Sequence, residues 1–271
     1  MPPLPRLSVF ELTRRHGVAR LAFNTPKQCN ALTPKSYDEW LVALDYLAAD
    51  TETRVLLLTG NGRFYSSGQA LAPPPGVDFG DPIALKKWVV ERVEVTKTVV
   101  DRIITFPKPI VVAANGPAMG FAVTSMALAD AVYSVPDAHF STPFMQLALC
   151  VEGCSSITFP ERMGYAKANE LLLLGKRFTA HEFERYGLVN EVVPADQLEA
   201  TAMKAATQFA DTHQDALLQS RELIMRQRRP RLLQQNRDEM DLLIQRMLSA
   251  EFFAAMMNFI SRKQSTPASK L

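Results

Sequence analysis

A buried strand, a glycine turn and a predicted helix start follow one another in residues 108–156, and this stretch constrains the chain most. Ile110–Ala114 is wholly apolar, which is typical of a strand buried on both faces. Residues 115–120 (Asn-Gly-Pro-Ala-Met-Gly) predict a turn, with a helix beginning at about Phe121. A helix N-terminus offers unpaired N–H groups and partial positive charge, so it suits a developing anion. Most such units in α/β proteins hold no anion, and the stretch alone leaves both interpretations open.

One carboxylate, Glu152, follows in the same stretch among apolar and small residues (147–153, Leu-Ala-Leu-Cys-Val-Glu-Gly). Apolar surroundings raise the pKa of a carboxyl group and suit it to proton transfer. An oxyanion pocket with one base beside it can remove a proton next to a carbonyl group. The alternative interpretation is a solvated loop glutamate, which spacing alone does not exclude.

Length, charge and composition narrow the possible classes of protein. The 271 residues allow one large domain, or a core with a smaller appendage. A net charge of +2 gives no reason to expect nucleic acid, and no apolar run is long enough for membrane insertion. Four scattered histidines lack metal-ligand spacing, so no metal site is predicted. Cys150 and Cys154, which flank Glu152, are predicted to be small apolar filler.

Hydrophobic periodicity predicts an α/β core followed by a helical region. We expect the core in residues 1–194, a helical region in 195–262 that packs on the core or on another subunit, and a flexible tail in 263–271. The predicted helices and strands are a hairpin (7–13 and 18–23), a helix from Thr33-Pro34, a strand (55–58), helices (83–106, 155–163 and 165–174), a helix capped by Thr179 and a last strand (188–193). The helical region is predicted to divide near His213 and near Arg229-Pro230.

The final tripeptide, Ser269, Lys270 and Leu271, matches a peroxisomal address that an import receptor reads. It follows a polar stretch, residues 262–268, where a receptor could reach it. The first six residues contain no signal-peptide core. The sequence therefore predicts a location in the peroxisomal matrix and an import receptor as a partner.

Three segments, taken in order, resemble the crotonase superfamily, which has the enoyl-CoA hydratase/isomerase fold. They are residues 63–71 (Arg-Phe-Tyr-Ser-Ser-Gly-Gln-Ala-Leu), 108–121 (from Lys-Pro-Ile to Met-Gly-Phe) and 179–194 (from Thr-Ala-His to Val-Val-Pro). The resemblance covers about residues 7–262. It implies an α/β fold wound as a spiral of ββα repeats, with a C-terminal helical trimerisation region. A homotrimer, or a hexamer of paired trimers, is the expected assembly.

The resemblance also implies how an acyl-CoA thioester would bind. In this family two backbone N–H groups form an oxyanion hole, and the matching residues here are Gln69 and Phe121. The substrate-binding segment would be Ser67, Gly68, Gln69, Ala70 and Leu71, lining the thioester and the start of the acyl chain. Gln69 and Ala70 replace a small residue and an aspartate that are usual there, but the N–H donors remain. Coenzyme A is part of the substrate, so no separate cofactor is expected.

Departures from the family pattern indicate the chemistry. The two glutamates of the hydratases are matched by Thr124 and Phe144, and neither can act as a carboxylate base. Glu152 alone survives, as in the peroxisomal Δ3,Δ2-enoyl-CoA isomerase branch, which includes fungal enzymes. The resemblance thus implies an isomerase of unsaturated fatty acid β-oxidation, with Glu152 as its base. Another crotonase-fold enzyme (a hydratase, a dienoyl-CoA isomerase or a secondary-metabolism step) and a non-catalytic acyl-CoA-binding protein remain alternatives.

Overall fold

The computed structural model describes residues 3–70 and 81–265. Leu71, Ser269, Lys270 and Leu271, which carry sequence predictions, lie outside these ranges. None of the helices in the described ranges combines the length and apolar character that a membrane crossing requires.

A six-stranded sheet forms the centre of the fold, in the order β1-β2-β3-β4-β6-β9. Its strands are β1 (Phe10–Arg15), β2 (Val18–Phe23), β3 (Val55–Gly60), β4 (Ile110–Ala114), β6 (Ala131–Ser134) and β9 (Glu191–Val192). The first two pair antiparallel and the others run parallel. Every residue of β3 and β4 is buried, as their apolar runs predict. A second sheet pairs β5 (Ala118–Met119), β7 (His139–Ser141) and β8 (Phe178–Thr179).

Helices cover the sheets and form the C-terminal third of the described chain. They are α1 (Pro34–Ala49), α2 (Pro82–Thr105), α3 (Phe121–Thr124), α4 (Ser155–Leu172), α5 (Ala180–Arg185), α6 (Leu198–Asp211), α7 (Gln214–Met247) and α8 (Ala250–Ser265). Thr33 and Thr179 each form a capping box with the residue three positions later. Packing of α6 on β3 and of α7 on α2 joins the helical region to the core.

The structure corrects several details of the sequence predictions. The predicted break at Arg229-Pro230 is wrong, because α7 continues through Pro230. Proline removes one helical hydrogen bond, but buried residues further along, such as Leu232 and Met240, hold α7 against the core. The next break falls at Leu248 and Ser249 instead. The last strand is only two residues long, and the helix that begins at Phe121 has only one turn.

A cluster of aromatic side chains connects β2, α1 and α3 below the glycine turn. The Phe23 ring lies edge-on to Trp40, with centroids 5.3 Å apart. The indole of Trp40 in turn contacts Phe121, at 5.8 Å between centroids. These side chains are buried in the main core, and they fix the position of α3 relative to the sheet.

Candidate active site

Glu152 is the buried carboxylate that the sequence singles out. The residue is only 6% exposed, which excludes the solvated-loop interpretation. Its Oε1 accepts a hydrogen bond from Thr124 Oγ1 at 3.1 Å, whereas its buried Oε2 has no partner within the described residues. Burial, reinforced by the nearby carboxylate of Glu239, raises the pKa of Glu152 to about 8, although the Thr124 hydrogen bond partly opposes this rise.

The backbone beside Glu152 turns sharply to bring the carboxylate against Thr124. Gly153 has a φ of +69°, in the left-handed region that favours glycine. A Cβ atom there would lie 2.5 Å from Thr124 Oγ1. A larger residue at this position would therefore separate Thr124 from Glu152. The hydroxyl group of Thr124 thus orients the carboxylate of Glu152.

The N–H groups of Gln69 and Phe121 both lie where local geometry leaves them without backbone acceptors. Leu32 pairs with the segment beside Gln69 on one side only: its N–H donates to Gly68 O at 2.8 Å, and its carbonyl accepts from Ala70 N at 2.9 Å. Because alternate N–H groups of an extended chain point in opposite directions, that of Gln69 points away from Leu32. Phe121 is the first residue of α3, so its N–H has no intrahelical acceptor. Neither group donates a hydrogen bond within the described ranges.

The two segments that carry these N–H groups run side by side. Ser66 bridges Ala118, and the N–H of Met119 donates to Ser66 O at 3.1 Å. A Cβ atom on Gly68, whose φ is +75°, would lie 2.4 Å from Met119 O. Such close backbone approach requires glycine. The Ser-Ser-Gly segment and the glycine turn, which lie far apart in sequence, therefore form one surface.

The side chain of Gln69 has a role that the sequence did not reveal. Its Oε1 accepts hydrogen bonds from Tyr37 OH, at 2.9 Å, and from Arg92 Nη2. The Arg92 guanidinium also lies 4.2 Å from the centre of the Tyr37 ring. Tyr37 stacks on Phe121, with ring centroids 5.7 Å apart. One cluster thus connects the two residues whose N–H groups donate no hydrogen bond in the described ranges.

The structure also locates the other residues that the sequence analysis names. Ser67 is half-buried and its N–H donates to Cys29 O at 2.9 Å, so it supports the loop. Phe144 is buried in the main core. Cys150 and Cys154 are buried free thiols, and burial raises the pKa of Cys150 to about 12. In the part of the chain that the structure describes, no group of three or more His, Cys, Asp or Glu side chains could hold a metal ion.

This arrangement places one buried carboxylate in the same region as two backbone N–H groups that have no acceptor among residues 3–70 and 81–265. Tyr37 lies between the two: its ring stacks on Phe121, and burial, with a smaller contribution from the nearby Glu152, raises the pKa of its phenol. Such a site has the parts to bind a negative oxygen and to move a proton.

Comparison with known proteins identifies the fold and the family. A solved enoyl-CoA hydratase/isomerase from Pseudoalteromonas atlantica T6c superposes with a TM-score of 0.84 at 29% identity, covering 94% of this chain and 98% of that one. This similarity confirms the predicted crotonase-type α/β fold with a C-terminal helical region.

Relatives of the chain include enoyl-CoA delta isomerases. The chain is 38% identical over 252 residues to enoyl-CoA delta isomerase 2 of Rattus norvegicus, covering 93% of this chain and 63% of that protein. It is 34% identical to the peroxisomal enoyl-CoA delta isomerase 3 of Mus musculus, covering 93% and 78% of the two chains. The chain thus spans just under two thirds of the rat protein. The family model described as enoyl-CoA hydratase/isomerase matches residues 13–266, and the chain belongs to that family.

Proposed function

We propose that the protein is a Δ3,Δ2-enoyl-CoA isomerase that uses Glu152 as its single base. One observation carries the proposal: Glu152 is a buried carboxylate whose Oε2 has no partner in the described ranges. The resemblance matches the two hydratase glutamates to Thr124 and Phe144, which are not carboxylates. Addition of water in this family uses two carboxylates, whereas a proton shift between two carbons needs only one. The names of the rat and mouse relatives support the same reaction.

The proposed reaction moves one proton along an allylic segment. Glu152 takes a proton from C2 of the 3-enoyl thioester, so the C2–H bond breaks and its electrons form an extended enolate. The thioester oxygen carries the charge and accepts hydrogen bonds from the N–H groups of Gln69 and Phe121, which strengthen as the charge grows. Glu152 then protonates C4, which leaves a 2-trans double bond. All atoms and electrons balance without a separate cofactor.

The two oxygens of Glu152 would have different tasks. Oε1 is held by Thr124, which orients the carboxylate. Oε2 has no partner in the described ranges, so it is the oxygen available to receive the proton. A pKa near 8 makes the carboxylate a stronger base than an ordinary glutamate. Apolar surroundings keep water away, which favours return of the proton to carbon over hydration.

The Tyr37–Gln69–Arg92 cluster would hold the oxyanion donor of Gln69 in place. Gln69 lies on a loop, and a loop residue needs contacts from rigid elements to hold a catalytic geometry. Tyr37 belongs to α1 and Arg92 to α2, so the side-chain hydrogen bonds attach the loop to two helices. The glutamine that departs from the family pattern therefore supports the proposed chemistry.

Turnover of a medium-chain 3-enoyl-CoA tests the proposal. Wild-type protein, Glu152→Gln and Glu91→Gln, a control at an exposed position of α2, are compared for isomerisation, for hydration of a 2-enoyl-CoA and for isomerisation of a 3,5-dienoyl-CoA. We expect strong 3-enoyl isomerisation that falls at least about a thousandfold in Glu152→Gln alone. Isomerisation unaffected by Glu152→Gln would refute the assignment of the base. Binding of acyl-CoA without any turnover would favour the non-catalytic alternative.

Location and assembly belong to the same proposal. A role in peroxisomal β-oxidation of unsaturated fatty acids is supported by Ser269, Lys270 and Leu271 and by the name of the mouse relative, peroxisomal enoyl-CoA delta isomerase 3. A fluorescent protein fused before residue 1 should enter peroxisomes, and removal of residues 269–271 should leave it outside. Sedimentation should give a trimer or a hexamer, whereas a stable monomer would contradict the assembly expected for the family.

A further inference from the structure

A second buried carboxylate, Glu239, lies next to the segment that follows Glu152. It belongs to α7 and is only 3% exposed. Its Oε2 accepts from Cys154 N at 2.7 Å, and its Oε1 accepts from Ser156 N at 3.1 Å and from Ser156 Oγ. The proposed isomerisation does not use this group. Burial of a carboxylate costs free energy unless the group is paired and hydrogen-bonded. The three donors around Glu239 therefore indicate a specific structural role.

Glu239 supplies the cap that α4 lacks in its own sequence. The first N–H groups of a helix have no intrahelical acceptors, and the N-cap residue of α4, Cys154, provides no side-chain hydrogen bond. A carboxylate from α7 fills this place. The partial positive charge of the helix N-terminus favours its negative form in return. The turn that carries Glu152 is thereby attached to α7 through the first residues of α4.

The surroundings of the two carboxylates differ in a way that separates their tasks. Burial raises the pKa of Glu239, but three donors and a helix N-terminus oppose that rise. Glu152 receives one hydrogen bond in the described ranges, at Oε1, and its Oε2 receives none there. When two neighbouring acids have unequal support, the better-supported one loses its proton at lower pH and the other ionises only at higher pH.

We propose that Glu239 is a positioning residue: it ties the turn after Glu152 to α7, and its negative charge makes proton uptake by Glu152 more favourable. This inference rests on the proposed isomerase function. Removal of a proton from C2 of a thioester is unfavourable. A base with a higher affinity for the proton makes this transfer more favourable. The negative charge of the bound enolate would then face the oxyanion donors while Glu152 is neutral.

Other titratable groups near the pair do not replace Glu239 in this role. Burial raises the pKa values of the Cys150 and Cys154 thiols and of the Tyr37 phenol, so these groups stay neutral at physiological pH. The charged neighbours are Asp101 on α2 and Asp238 and Arg246 on α7. Asp101 accepts from Asn236 at 2.8 Å, and Arg246 pairs with Glu251. Asp238 is exposed, which makes it a suitable control on the same helix.

Infrared titration of the purified protein tests the proposal without any need for turnover. The C=O band of protonated Glu152 is identified by its loss in Glu152→Gln, and its pKa is then measured in wild type, Glu239→Gln and Asp238→Asn. Glu239→Gln keeps an acceptor for the α4 cap and removes the charge, so we expect the pKa of Glu152 to fall by about one unit. Asp238→Asn should leave it within about 0.3 unit, because that side chain is exposed to solvent.

Several outcomes decide between a charge effect and a purely structural one. With a folded Glu239→Gln protein, an unchanged pKa of Glu152 would overturn the proposal. If Glu239→Gln does not fold, Glu152→Gln gives a second test, since Glu239 can be titrated there alone. A Glu239 that stays protonated at the pH where wild-type Glu152 ionises would also overturn it. In an active enzyme, the acid limb of kcat/KM should shift to lower pH in Glu239→Gln by the same amount as the infrared pKa, so failure of turnover and failure of the charge effect are read separately.

Discussion

The raised pKa of Glu152 predicts that this side chain destabilises the folded protein increasingly as the pH rises. An ordinary glutamate has a pKa of 4.5, whereas burial and the charge of Glu239 raise that of folded Glu152 to about 8. Between these two values the unfolded chain has lost the proton and the folded chain still binds it. Stability from the neutral group is therefore complete below pH 4.5, and it falls by about 1.36 kcal/mol per pH unit until the folded pKa is passed.

Glu152→Gln removes this titration and keeps the size of the side chain. The free energy of unfolding of the variant minus that of wild type should increase by about 3 kcal/mol from about pH 5.5 to about pH 8. Any effect of the amide that does not depend on pH is equal at both values and cancels in the comparison. Urea unfolding of both proteins, followed by circular dichroism, measures this difference, and Glu91→Gln gives the background of an exposed position.

The sign and the size of the change both test the reasoning. If the difference in the free energy of unfolding between variant and wild type is the same at both pH values, Glu152 has the same pKa in the folded and unfolded chains. Burial would then not have raised its pKa. If the free energy of unfolding of the variant minus that of wild type decreases as the pH rises, the folded protein favours the carboxylate form of Glu152. That result would also refute the proposed influence of Glu239.

Three further substitutions test neighbouring parts of the site. Thr124→Val removes a hydrogen bond that favours the carboxylate, so the pKa of the candidate base should rise further and the acid limb of kcat/KM should move to higher pH by about half a unit or more. Gly153→Ala places a Cβ atom 2.5 Å from Thr124 Oγ1 and should lower turnover at least about tenfold; Gly187→Ala, with the same kind of φ and open space, controls for backbone strain in unfolding and rate measurements. Gln69→Ala releases the loop from Tyr37 and should lower kcat about tenfold or more, with a fold that stays intact by circular dichroism.

Local signals predicted those parts of the fold that local physics decides. The apolar run of β4 predicted a doubly buried strand, and Thr33 followed by proline predicted the start of α1. His16 and Gly17 predicted the hairpin turn, where both have positive φ values. Gly164, whose φ is 74°, interrupts α4 between the two helices that were predicted. In each case, a few adjacent residues carry the whole cause.

Features that depend on distant residues could not be predicted in the same way. Pro230 indicated a break, but packing of α7 on α2 holds the helix together. Arg92 gave a faint signal, since it shares the buried face of α2 with Val89, Val93 and Thr96. The contact of Arg92 with Gln69 was not apparent, because the chain between the two residues gives no indication that they meet. The sequence indicated Glu152 through its apolar neighbours and its family position, and only the structure shows how strongly it is buried.

Glu239 shows why composition alone misjudges a charged helix. It lies in the run Arg237-Asp-Glu-Met-Asp241, which predicts a solvated helix face. Yet Glu239 is buried while Asp238 is exposed, because successive residues of a helix point about 100° apart. One face of α7 thus carries a carboxylate into the core at the start of α4. The helical region, expected from the family to serve in assembly, would then also determine the strength of the base, and substitutions on the inner face of α7 should alter pH dependence while those on its outer face should not.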